Sequence, residues 1–74
     1  PQLPRNLAAS LAIEAAEVLE LYQWRESADP AKLADELADV ALYLLQLASV
    51  TDIDLEAAIL EKLRRNYGRS WAGH

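Results

Sequence analysis

The sequence predicts an all-α domain, and three observations lead there. Alanine and leucine dominate while only two glycines occur in 74 residues, a composition that favours helix. No stretch alternates apolar and polar residues with a period of two, whereas three segments repeat apolar residues at helical spacing. Asp29 and Asp54 stand directly before two of those segments, where an aspartate side chain caps a helix start.

The first helix is expected from about Leu7 to Arg25, with Asn6 as its N-cap. It is apolar nearly all round. Leu7, Leu11, Val18 and Tyr22 form one stripe, and Ala9, Ile13, Ala16 and Trp24 lie across from it. Glu26-Ser27-Ala28-Asp29 reads as a short connector. The second helix starts at Pro30, a residue suited to the first helical position, and runs to about Val50. Thr51-Asp52-Ile53-Asp54 is the next connector. The third helix runs from Leu55 to about Tyr67, with Gly68 ending it. The short first connector makes helices one and two an antiparallel hairpin. The expected architecture is that hairpin plus a third helix, assembling into an oligomeric helical bundle, because two neighbours from one chain cannot cover a helix that is apolar on several sides.

Residues 1–74 make a single domain. A core of this size is rarely sufficient without disulfides, metal or partners. Cysteine is absent, which excludes disulfides and thiolate metal sites. The one histidine is His74, the last residue, so a histidine-based centre is not expected. No apolar run approaches the roughly 20 residues of a membrane span, and no signal peptide is visible; a cytoplasmic location is the default. The chain opens on Pro1 rather than methionine, as a piece of a longer protein would.

The net charge is −5, unevenly placed. All twelve acids lie in residues 1–61, opposed only by Arg5, Arg25 and Lys32. Residues 62–74 carry Lys62, Arg64, Arg65 and Arg69 and no acid. The basic end suits the helix dipole or, alternatively, a phosphate-binding role facing an acidic centre. The acidic total disfavours polymeric nucleic acid as a partner.

Two pairs of carboxylates interrupt apolar helix surface: Glu14 with Glu17, and Glu36 with Asp39. Each pair is spaced i, i+3 and so shares one helix face. With the turn centred near residue 28, the pairs differ by about three residues of height, roughly 4.5 Å at 1.5 Å per residue. They can meet at one level of the bundle. Four acids gathered there repel and force some carboxyls towards the neutral form, and a divalent cation resolves the conflict. All-oxygen ligands suit Mg²⁺, with Mn²⁺ as a possible substitute, and four carboxylates can hold two ions. Glu20 continues the row but points further round the helix, and Asp35 reads as solvent-facing. A di-iron bundle needs Glu-x-x-His pairs, which this sequence lacks.

The motifs E14-A-A-E17 and E36-L-A-D39, separated by 18 residues, resemble the E-x-x-E…E-x-x-D signature of the MazG-like all-α nucleoside triphosphate pyrophosphohydrolases. The likeness is greatest to the dCTP pyrophosphatase branch and extends through D-V-x-x-Y-L-L, D-I-D-L and K-x-x-x-N. It implies Mg²⁺-dependent conversion of a (deoxy)nucleoside triphosphate, a pyrimidine one such as dCTP, to monophosphate and pyrophosphate. It also implies a homodimer or homotetramer with sites at subunit interfaces. By the resemblance, Glu14, Glu17, Glu36 and Asp39 are metal ligands and catalytic residues, with Glu14 orienting or deprotonating the attacking water. Trp24 stacks on the base, Tyr43 floors the sugar, and Lys62, Asn66 and Arg69 contact phosphates. Family members usually begin with a helix that precedes the PRNL-like segment, and this sequence lacks it. The alternatives are a phosphoribosyl-ATP or dUTP hydrolase of the same superfamily, or a non-catalytic helical oligomerisation module with a structural metal.

Overall fold

A computed structural model describes residues 3–72, with side chains through residue 68. Three α-helices occur in order: α1 (Pro4–Glu20), α2 (Pro30–Val50) and α3 (Leu55–Ala72). No strand occurs among the described residues, as the composition and periodicity predict. No described helix is long and apolar enough to cross a membrane.

The second helix begins and ends where its local chemistry says it should. The Asp29 side chain accepts a hydrogen bond from the Ala31 N–H at 3.2 Å, and Pro30 takes the first turn. Asp54 likewise caps α3 by accepting from the Ala57 N–H at 3.1 Å. Each cap satisfies one of the donors a helix start leaves without a partner.

Three boundaries differ from expectation. Helix α1 starts at Pro4, not Leu7, and its N-cap is Leu3 rather than Asn6. The Leu3 carbonyl accepts from the N–H groups of Asn6 and Leu7 at 3.0 and 3.1 Å, and proline at the first position has no N–H to leave orphaned. The same helix stops at Glu20, five residues before Arg25. The N–H groups of Leu21, Tyr22 and Gln23 reach carbonyls three residues back, at 3.2, 2.9 and 3.2 Å, so tighter 3₁₀-type bonds close the helix without a glycine. Trp24 beyond them is 87% exposed; a further turn would have found nothing to pack against. Finally, Gly68 does not end α3. No glycine among the described residues has positive φ, and α3 continues to Ala72. An interior glycine costs a helix about 1 kcal/mol, less than is needed to break it.

The turn from α2 to α3 has a feature that sequence spacing does not reveal. The Ile53 N–H donates to the Ala48 carbonyl at 2.9 Å and the Asp52 N–H to the Ser49 carbonyl at 3.2 Å. That is a Schellman termination, with Asp52 at φ 61° in the left-handed position usually filled by glycine. The Thr51 hydroxyl adds a bond to the Leu47 carbonyl at 2.7 Å. With Asp54 capping the next helix two residues later, the turn is hydrogen-bonded throughout and fixes the direction in which α3 leaves.

Helices α1 and α2 pack together, and α3 does not pack along either of them. The seam between α1 and α2 holds the only fully buried large side chain of the described residues, Leu7, together with Ala48. Leu11, Val18, Leu33, Val40 and Leu47 are half-buried around them. The second apolar stripe of α1 stays uncovered: Ile13 is 58% exposed. The Cα radius of gyration is 15.6 Å, against about 11 Å for a compact domain of this length. The chain therefore leaves much apolar surface for something else to cover.

Relief of the left-handed conformation at Asp52 gives a test of the turn. Asp52→Gly should stabilise the protein by about 0.5–1 kcal/mol, read as a higher midpoint in thermal unfolding. A lower midpoint would show that the Asp52 side chain itself holds the turn.

Candidate active site

Glu14 and Glu17 stand on the α1 face that meets α2, in line with Leu7, Leu11, Val18 and Leu21. Glu36 and Asp39 stand on the facing surface of α2, between Leu33 and Val40. All four side chains are half-buried. Burial of Leu7 and its neighbours brings the helices together, and that same packing carries the acids into the seam.

One carboxylate oxygen from each of Glu14, Glu36 and Asp39 lies within 4.8 Å of the other two. Glu17 stands beside this triangle, near enough to Glu36 for the two carboxyls to share a hydrogen bond, as Glu14 does with Asp39. The pairing is crossed: the earlier acid of one helix faces the later acid of the other, as helices running in opposite directions require. Glu36 Oε2 is buried and has no hydrogen-bond partner. A buried acceptor without a donor costs free energy, and here its surroundings supply only more carboxylates.

The electrostatics follow from this crowding. Burial raises the Glu14 carboxyl above its ordinary value, and the negative charges of Glu17 and Asp39 and the bond to Asp39 add to the rise. Burial raises Glu36 in the same way, reinforced by Glu17, Glu14 and Asp39. Desolvation and like charge both disfavour the ionised form. The donor set fits a hard divalent cation: oxygen ligands only, converging from two helices, with one buried oxygen that nothing in the protein satisfies.

Asp35 is exposed, as expected, yet its charge also contributes to the rise at Glu14. Its i, i+4 spacing from Asp39 was the signal available for that. Tyr43 is half-buried on α2, one turn beyond Asp39. Trp24 lies in the connector rather than on a helix, in a shallow surface recess with Tyr22, Gln23, Arg25 and Glu26. Lys62 and Asn66 are exposed on α3, which does not pack over the carboxylates of its own chain. Arg64 and Arg65 both pair with Glu61, and among the described residues Lys62 has no such partner. The backbone at Arg69 is helical, but its side chain lies outside the described residues.

Comparison with known proteins decides the family. A model of the MazG-like family matches residues 9–71. The chain belongs to the MazG-like family. Among curated proteins it resembles dCTP pyrophosphatase 1 of Rattus norvegicus, 38% identical over 76 residues that take in 89% of this chain and 45% of that protein. The Homo sapiens protein of the same name is 39% identical over 77 residues, 86% of this chain and 45% of that protein. The chain thus spans about half the length of the curated relatives it matches.

The raised carboxyls set a pH dependence for the metal-free protein. A glutamate whose value is higher folded than unfolded adds stability below its ordinary value of about 4.3, and that contribution is lost as pH rises through the raised value. Glu36→Gln removes one such group. In chelator, its thermal midpoint should gain on the unsubstituted protein as pH rises from about 4 to 7. A difference that stays constant, or shrinks, would mean that Glu36 is not held in its neutral form by folding.

Proposed function

We propose that this chain is the metal-binding core of a nucleotide pyrophosphohydrolase. It would convert a (deoxy)nucleoside triphosphate, by preference a pyrimidine one such as dCTP, to the monophosphate and pyrophosphate. The observation that carries this reading is the convergence of Glu14, Glu36 and Asp39 around a buried, unsatisfied Glu36 oxygen, with Glu17 alongside. Family membership and the likeness to proteins named dCTP pyrophosphatase 1 support the choice of reaction and substrate.

In this reading Glu14, Glu17, Glu36 and Asp39 hold Mg²⁺, with Mn²⁺ able to replace it. Bound there, the metal supplies charge neutralisation for the triphosphate and makes a nucleophile available near neutral pH. The protein's own part is mainly positioning, since in-line attack on phosphorus needs little covalent help. Glu14, held towards its neutral form by burial and by Glu17, is the residue assigned to orient or deprotonate the attacking water. Tyr43 lies on the α2 face that carries Glu36 and Asp39 and is assigned to the sugar. Trp24 is assigned to the base, where its exposed ring can stack. Lys62, Asn66 and Arg69 are assigned to the phosphates.

The unit that assembles is the antiparallel α1–α2 hairpin, and the assembly is a homodimer or homotetramer. Exposed Ile13, Leu37, Leu44 and Leu45 supply its apolar contacts. A cytoplasmic location, beside the nucleotide pool, completes the proposal.

The test is incubation with Mg²⁺ and a panel of nucleoside triphosphates, with products separated chromatographically. Monophosphate and pyrophosphate should form from pyrimidine deoxynucleotides. Glu36→Gln should lower kcat by more than about 100-fold while the helical circular dichroism is kept, since even outer-shell partners of a metal typically cost 10–100-fold. Diphosphate and phosphate would contradict attack at the α-phosphorus. Metal binding without turnover of any nucleotide would favour a helical oligomerisation module.

A further inference from the structure

We infer that α3 completes the carboxylate site of a second copy of this chain, carrying Lys62 and Asn66 to it. The inference concerns which subunit supplies these residues; their role towards phosphate rests on the pyrophosphohydrolase reading above.

Helix α3 has 18 residues, roughly 27 Å of rise, yet it packs along neither α1 nor α2. The principal extents of the chain are 39, 38 and 18 Å. Two long dimensions and one thin one describe two arms in a plane, the α1–α2 pair and α3. The angle between the arms is not left to a slack linker. The Schellman bonds from Asp52 and Ile53, the Thr51 hydroxyl and the Asp54 cap occupy the whole turn, and they hold α3 away from the carboxylates of its own chain.

The held-out helix is not suited to water. Ile59, Leu60 and Leu63 are 49, 61 and 50% exposed, and Tyr67 is 69% exposed. Leu55, Ile59, Lys62 and Asn66 share one face at i, i+4, i+7 and i+11 spacing. That face joins an apolar strip to a cation and an amide. Glu61 occupies Arg64 and Arg65 on another side of the helix, and among the described residues Lys62 is left without an ion-pair partner.

A second copy offers what this face lacks. Its α1–α2 pair exposes Ile13, Leu37 and Leu45 and carries four half-buried carboxylates, two of them raised by mutual crowding. The charges are complementary: every acid of the chain precedes residue 62, and residues 62–74 hold cations alone. An ammonium group brought to the carboxylate seam relieves its repulsion, and the same group meets the triphosphate when substrate is bound. A twofold arrangement makes the exchange reciprocal, each α3 serving the other copy's site.

Carbodiimide coupling, which joins an amine directly to a carboxylate in contact with it, tests the placement without reference to activity. Natural-abundance and ¹⁵N-labelled chains are refolded together, coupled and digested for mass spectrometry. Lys62 should be joined to Glu14, Glu17, Glu36 or Asp39 in pairs that mix the two isotopes, and Lys62→Arg should abolish those products. Lys62 joined to these acids only within one isotope, or not joined to them at all, overturns the inference.

Turnover then separates this inference from the reading it rests on. Lys62→Ala and Glu36→Gln should each be inactive alone. Refolded together in equal amounts, they should recover about a quarter of the unsubstituted activity, since half of randomly formed dimers are mixed and each of those has one intact site of two. A mixture no more active than its components overturns delivery from the partner. Failure of the unsubstituted protein to hydrolyse any nucleotide counts against the pyrophosphohydrolase reading alone, and the coupling result still decides where α3 docks.

Discussion

The structure turns on a conflict between packing and charge. The only large side chain fully buried among the described residues is Leu7, and the seam that buries it also carries Glu14, Glu17, Glu36 and Asp39 towards each other. Apolar contact draws α1 and α2 together while the carboxylates oppose it. The protein cannot relieve that opposition from within the seam: no described cation pairs with these acids, and the ion pairs of the described residues join only Glu61 to Arg64 and Arg65. A seam of this kind is worth keeping if something positive is meant to enter it, and the proposed divalent cation is that charge.

The same economy explains the shape. With one small seam as its core, the chain has little apolar burial to set against the conformational entropy of ordering three helices. Side chains that a monomeric domain would cover are exposed along α1, α2 and α3. The turn at residues 51–54 is nevertheless fully hydrogen-bonded, with a non-glycine residue held in the left-handed region. Strain of that kind persists where the surrounding structure determines it. Here it aims a helix with apolar and basic residues outward, to where another copy can use it.

Local chemistry was legible in the sequence to the extent that it was local. Asp29-Pro30 and Asp54 mark the starts of α2 and α3 because capping depends on the residues themselves and their immediate neighbours. Pro4 carried the same message for α1, but Asn6 was the more conspicuous capping residue and drew the boundary three residues late. The end of α1 was not legible. Leu21, Tyr22 and Trp24 continue a helical pattern, and only the lack of anything to cover Trp24 ends it. Gly68 misled in the opposite sense, because glycine ends a helix when the backbone turns left-handed and here it does not. The left-handed turn falls instead at Asp52. The i, i+3 acids were the strongest signal, since both pairs interrupt apolar surface at compatible heights, and the structure brings three of the four into one triangle with the fourth beside it. Their chemistry, unlike their placement, is reached through family membership and the proposal built on it. The position of Lys62 and Asn66 relative to the acids could not be read from spacing, because it depends on where α3 goes and on what it meets.

The measurement that bears most directly on the carboxylate seam is a titration of the protein with Mn²⁺, followed by the electron paramagnetic resonance of the free ion. Saturable loss of the free-ion signal, competed by Mg²⁺, accompanied by proton release below neutral pH and abolished by Glu36→Gln, is the result expected of acids raised by their own crowding and gathered to hold a cation. Mn²⁺ that stays free at protein concentrations well above the seam's occupancy, or binding that survives Glu36→Gln unchanged, would contradict it and leave the four acids as a repulsive feature of the α1–α2 interface with no ion to justify them.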